Sequence, residues 1–305
     1  MAMISVRNLT RTFGEIVAVN NLNFEIEKGE LFGFIGPDGA GKTTLFRILA
    51  TLLIPDEGEA RVMDLDTVKD YKKLRQNLGY MPGKFSLYSD LSVEENLNFF
   101  ASIFGSTIEE NYDTIKDIYE AIEPFKKRRA GKLSGGMKQK LALSCALIHS
   151  PDVLLLDEPT TGVDAVSRRE FWDTLNRLKS KGLTIVVSTP YMDEANRCDR
   201  VALMQKGSIM GIDTPENVTE MKQKTVFGVK GTPRYQVIKA LRDYPQVDSV
   251  YAFGEYLHYT DKREDVDIQE IRMFLLDQGF KGVEVKAVNP TIEDAFMALM
   301  EQHDE

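Results

Sequence analysis

The chain has 305 residues, of which 43% are hydrophobic and 28% charged, with a formal net charge of −9. That length suffices for a large core and two domains, and the composition suits a soluble globular protein. The acidic balance argues against a nucleic-acid partner, because phosphate backbones recruit basic faces.

Taken in chain order, MISVRNLT (3–10) and LNFEIEKGE (22–30) alternate apolar and polar residues, which predicts strands of an antiparallel layer. LFGFIG (31–36), VLLLD (153–157) and TIVVS (184–188) are continuous apolar runs. Such runs, separated by helices, predict a parallel sheet covered on both faces. LSVEENLNFFASIFG (91–105) places Glu95 three residues after Ser92, a capping-box spacing, and Gly105 at a helix stop. Residues of about 85–148 read as a helical insert in this α/β core.

The basic run Lys126–Arg129 is short and lacks interleaved aromatics, so it reads as a solvated loop. In AVSRREFWDTLNRLKSKG (165–182) Phe171, Leu175 and Leu178 share one helical face, Trp172 is a packing residue, and Gly182 ends the helix. Thr189 is expected to cap a helix over PYMDEANR, with Pro190 in its first turn. From Thr225 the order strand, helix, strand, strand, helix, strand predicts a ferredoxin-like βαββαβ domain over 224–305, following a first domain over 1–222. PTIEDAFMALM (290–300) closes the chain as a helix.

No run of about 18 apolar residues occurs, so no membrane span is expected, and the first residues lack an apolar signal core. Cys145 and Cys198 are the only cysteines. They have no metal-ligand spacing and read as reduced core thiols on apolar helical faces.

Three motifs carry chemistry. The first joins Gly36, Pro37, Asp38, Gly39, Ala40, Gly41, Lys42, Thr43 and Thr44 between a strand and a helix, and matches G-x-x-x-x-G-K-[ST]. Its backbone N–H groups and the helix N-terminus cradle phosphates, Lys42 reaches the β/γ oxygens, and the Thr43 hydroxyl binds Mg²⁺. The second is VLLLDEP: its buried strand delivers Asp157 to the Mg²⁺ side, and Glu158 stands where it can orient or deprotonate water. In the third, LSGGMKQK (133–140), Ser134 caps a helix whose glycines leave N–H groups open to an anion.

Together these motifs resemble the nucleotide-binding subunits of ABC transporters over nearly the whole chain. The resemblance implies a P-loop NTPase cassette binding ATP and Mg²⁺, which closes head to tail with a second cassette as a homodimer or heterodimer. Each site would then take residues 36–44, Asp157 and the catalytic Glu158 from one chain and Ser134, Gly135, Gly136 and Met137 from the other. Phe13 would stack on adenine, the alternative being a core-packing role, and Asp164 in TTGVD would bridge the cassettes. The implied partner is an integral membrane permease, with the cassette peripheral on the cytoplasmic face of the membrane. The C-terminal domain resembles the extension of cassettes that serve efflux permeases.

Two positions depart from the family pattern. Gly83 stands where a glutamine usually contacts Mg²⁺ and the attacking water, and Pro190 stands where a histidine touches the last phosphate. His149, His258 and His303 offer no obvious substitute. Slow hydrolysis in the chain's own site is therefore expected. Non-transport relatives in translation or repair, and a purely regulatory ATP-binding module, share such motifs. The single cassette, the absence of long heptads, the acidic charge and the presence of Glu158 favour the transport reading.

Overall fold

The apolar run Leu31–Ile35 is buried along its whole length because it lies inside a six-stranded sheet. The sheet order is Ser208–Asp213, Arg200–Gln205, Leu31–Ile35, Thr184–Thr189, Val153–Asp157, Leu78–Met81. The last five strands run parallel, and Ser208–Asp213 adds an antiparallel edge. Register pairs Ile35 with Thr189 and Asp157 with Ser188. Three chemistry-bearing strand ends therefore meet at one edge, the usual place for ligands on parallel sheets.

The structure, a computed structural model, describes residues 2–220 and 224–304, the side chains of 301–304 excepted. It divides into two units, Met1–Pro215 and Glu216–Glu305. In the first, a four-stranded antiparallel sheet orders Ile16–Glu27, Ala2–Phe13, Glu57–Val62 and Leu65–Asp66. Its alternating pattern buries Ile4, Val6, Phe24 and Ile26 in the cluster that holds Phe32, Phe34 and Phe46. Phe24 meets Phe34 edge-on at 5.1 Å between ring centroids, which fastens this layer to the strand feeding residues 36–44.

The helical insert comprises Val93–Ile103, Tyr112–Tyr119 and Gly135–Leu147. Ser92 and Glu95 form the expected capping box, and Gly105 adopts φ +67 just past the helix end. The basic run has an architectural use: the Lys126 and Arg128 carbonyls accept from the Glu94 and Val93 amides, and Lys126 pairs with Glu94 at 3.4 Å. Trp172 is 2% exposed and packs inside.

Two local expectations need correction. Thr189 ends its strand, and the next helix is a 3-10 segment over Met192–Arg197. Pro190 precedes that helix instead of lying in its first turn. The Thr189 hydroxyl accepts from the Tyr191 amide at 3.1 Å, so it supports the approach to the helix. Cys198, likewise, closes this 3-10 segment and does not sit on a helical face; both cysteines are buried and free.

The second unit orders its strands Val247–Phe253, Tyr256–Asp261, Val226–Thr232, Lys281–Val288, all antiparallel. Helices Arg234–Arg242 and Ile268–Asp277 bury Val237, Leu241, Ile271 and Leu275 in its core. This is the βαββαβ arrangement. The closing helix, Ile292–Asp304, carries Asp294 in its first turn, and the Asp294 carboxylate faces His258 Nδ1 at 2.9 Å.

Candidate functional site

A helix starting at Lys42 leaves its first N–H groups without intrahelical acceptors. The approach to it is built from glycines that no other residue fits. A Cβ at Gly36 would lie 2.1 Å from the Met204 carbonyl oxygen, and one at Gly41 would lie 2.2 Å from that of Ala18. Gly39 and Gly41 also take φ +81 and +101, where side chains are strained. Pro37, Asp38 and Gly39 are exposed at the loop tip, and Ala40 turns inward. The result is a concave run of backbone amides at a helix N-terminus, a shape suited to phosphate.

Lys42 is 2% exposed, and its Nζ donates to the Gly36 and Pro37 carbonyls at 2.7 and 2.9 Å. Glu158 Oε1 lies 3.5 Å away. Burial pulls the lysine below its ordinary pKa, and Glu158 and Asp38 oppose that pull. Thr43 Oγ1 donates to Asp157 Oδ1 at 3.2 Å. A hydroxyl and a carboxylate converging there are hard oxygen donors that fit magnesium. No cluster of three or more His, Cys, Asp or Glu suited to a metal exists among the described residues. A magnesium ion here would rely on these two oxygens, with phosphate oxygens and water completing its shell.

Glu158 takes φ +49, a conformation that costs a residue with a Cβ. It is held by Ser188, whose carbonyl and hydroxyl both accept from the Glu158 amide at 3.0 Å. The same hydroxyl donates to Asp157 Oδ1 at 2.6 Å. One serine thus orients both acids. Sequence reading missed it, because Ser188 reads only as the polar end of an apolar strand.

Ser134 caps its helix by accepting from the Met137 amide at 3.3 Å, and Ser134 and Gly135 are exposed. A Cβ on Gly136 would meet Ser167 Oγ at 2.6 Å, so this helix start packs against the start of Ala165–Ser180. Asp164 caps that second helix, accepting from the Val166 and Ser167 amides, and those amides hold its carboxyl below the usual range. No hydrogen bond or ion pair among the described residues joins 134–137 to 36–44. Phe13 is 46% exposed, which removes the core-packing alternative; the Arg11 guanidinium lies 4.9 Å from its ring centroid.

A family model described as "ABC transporter" matches residues 19–161. The Nod factor export ATP-binding protein I of Rhizobium sp. (strain N33) is 33% identical over 304 residues, covering 97% of this chain and 96% of its own length. The chain belongs to the ABC transporter ATP-binding family. A second relative, named "Probable multidrug ABC transporter ATP-binding protein YbhF" from Escherichia coli (strain K12), is 43% identical over 71% of this chain. The match spans only 38% of that relative's length. Among solved structures, the dimeric ATP-binding cassette MJ0796 in a post-hydrolysis state bound to ADP and Pi is 27% identical. It superposes with a TM-score of 0.63 over 70% of this chain and 98% of its own.

Within this ABC cassette, position 83 lies against the acids. A Cβ on Gly83 would sit 3.0 Å from the Asp157 carbonyl oxygen and 3.6 Å from Glu158 Cβ. Pro190 directly follows Thr189, whose carbonyl accepts from the Gly36 amide at 3.3 Å. Both departures therefore stand at the phosphate edge of the cassette. His149 stacks on Phe104 at 3.7 Å and hydrogen-bonds the Leu78 carbonyl, and His258 pairs with Asp294 inside the second unit. The side chain of His303 lies outside the described residues.

Proposed function

We propose that this chain binds and hydrolyses Mg-ATP to power a separate membrane permease that exports its substrate. The single observation that carries the reading is the convergence of Lys42, Thr43, Asp157 and Glu158 at the mouth of a glycine-built phosphate cradle. In this reading the amides of residues 36–44 and Lys42 bind the triphosphate, and Phe13 stacks on the base. Thr43 and Asp157 would hold magnesium, which would neutralise phosphate charge when bound. Glu158 orients the water and takes its proton. A second cassette supplies its own Ser134–Met137, and Asp164 bridges the pair. No helix of the described residues is long and apolar enough to cross a membrane. In this reading a separate permease spans it, as the relatives' names as transporter ATP-binding proteins support, and this chain works at the permease's cytoplasmic face. The names of the relatives, multidrug and Nod factor export ATP-binding proteins, support export.

The permease face is read at residues 83–90. A cavity of about 370 Å³ beside them is lined by apolar groups including Leu52, Phe85, Phe100 and Ile103. Gly83, which lies against the acids, is among its lining residues, so a group seated there would act on them through Gly83.

Turnover in the chain's own site is slow in this reading. Each lost polar contact to a transition state costs on the order of 10²–10³ in rate, and two need not multiply. The intact signature residues then complete the site of a different, competent partner cassette. Calorimetry with Mg-ATP tests the reading: heat of association is expected for the parent chain and absent for Lys42→Ala. Phosphate release should exceed that of Glu158→Gln; equality of the two would instead mark a regulatory module. Purification of the membrane complex should yield two cassette types, and a single type would refute the mixed pair.

A further inference from the structure

We infer that Glu194 is a positioning residue that ties the phosphate-facing strand end at Thr189 to the loop running from Thr160 to Asp164. This rests on the ATPase reading above. Glu194 is 3% exposed, yet it sits in a polar stretch, Met192–Arg197, where an acid is ordinarily solvated. A buried carboxylate must be fully partnered. Its Oε1 accepts from Thr160 Oγ1 at 2.8 Å, and its Oε2 accepts from Thr189 Oγ1 at 2.5 Å. Both hydroxyls are themselves buried, at 1% and 0% exposure.

One oxygen thus serves a strand end and the other a loop. Thr189 follows the serine that holds Asp157 and Glu158, and Thr160 opens the loop that ends at the exposed Asp164. Arg168, one turn into the helix that Asp164 caps, lies 3.7 Å from Glu194 Oε1 and 2.9 Å from Asp193 Oδ2. Its guanidinium also stacks over Tyr191 at 5.1 Å. The residues flanking Pro190 are therefore fastened to the bridging loop through one carboxylate and one arginine. A proline cannot reach phosphate with a polar group. The geometry still fixes where the strand end and the bridging loop stand relative to each other.

Two readouts separate a positioning role from a merely structural one. Glu194→Gln keeps the volume but leaves only one acceptor oxygen for two hydroxyls. We expect about tenfold slower ATP turnover by the full chain, the scale of one charge-assisted hydrogen bond. Mg-ATP affinity by calorimetry should stay within about twofold, since no residue of 36–44 is touched. Thr160→Val should match it, Thr160→Ser should restore turnover, and the Thr160→Val, Glu194→Gln double variant should be no slower than either single. Amide exchange of residues 160–164 should quicken in Thr189→Val, a substitution on the other side of the carboxylate. Parent-like turnover in Glu194→Gln together with unchanged exchange in Thr189→Val overturns the inference, as do additive losses accompanied by weakened Mg-ATP binding. Should Glu194→Gln fail to fold, the threonine variants and the exchange measurement decide alone. A parent chain without turnover overturns the ATPase reading instead, and the exchange result then stands by itself.

Discussion

Ser188 and His149 show how much a single side chain can carry in this cassette. Removing the Ser188 hydroxyl leaves Asp157 without a donor at 2.6 Å and the Glu158 amide with one acceptor fewer. Ser188→Ala is expected to slow turnover about tenfold and to cost about 1–2 kcal/mol of stability, checked by phosphate release and urea unfolding. His149 donates from Nε2 to the Leu78 carbonyl at 3.2 Å, while its buried Nδ1 has no partner. Burial pushes its pKa below the ordinary imidazole value, against the raising effect of that hydrogen bond. A folded pKa below the unfolded one means that the unfolded chain binds the proton first. Stability is then present above about pH 6.5 and falls as the pH drops through that value. Melting midpoints at pH 7.5 and 5.5 should fall less for His149→Phe than for the parent. Pro190→His is expected to raise turnover, measured by phosphate release. Gly83→Gln should raise it less, because its Cβ must first displace the Asp157 carbonyl oxygen, 3.0 Å away. Lys42, Asp157 and Glu158 were legible in the sequence because their spacing is fixed by a strand and a loop. Ser188 and Glu194 were not, because their roles depend on which strands become neighbours and no local pattern records that.

At the scale of elements, helix starts were read well because capping is a local chemistry of three or four residues. Ser92 and Ser134 each accept the amide bonds that their positions predict, and Asp164, which the sequence did not single out as a cap, does the same for Ala165–Ser180. Ser92→Ala should cost about 1 kcal/mol, seen as a lower urea midpoint with an unchanged slope. The segment after Thr189 was misread for a physical reason. Its polar start carries helix-favouring residues, but Glu194 is drawn into the interior by Thr160 and Thr189 and the turn tightens to 3-10. Tertiary hydrogen bonds set that local geometry. The parallel strands were legible as uninterrupted apolar runs, though the order that places Thr184–Thr189 between Leu31–Ile35 and Val153–Asp157 is not written in any of them.

At the scale of the molecule, two separate cores divide the work. The first unit holds every residue assigned to nucleotide, and the second has its own core of Phe227, Val229, Leu241, Leu257 and Leu275. Residues 216–305 expressed alone should unfold cooperatively, and residues 1–215 should still bind Mg-ATP; calorimetry of both fragments checks this. Total stability is a small margin, so one strained residue weighs on it. Glu158 sits at φ +49, where glycine would rest without steric cost. Any pressure for heat tolerance alone would therefore favour glycine at 158, and a chain that yielded would lose the acid that the proposed mechanism assigns to activating water. The warmth this subunit tolerates is set in part by a backbone position it cannot relax and still work.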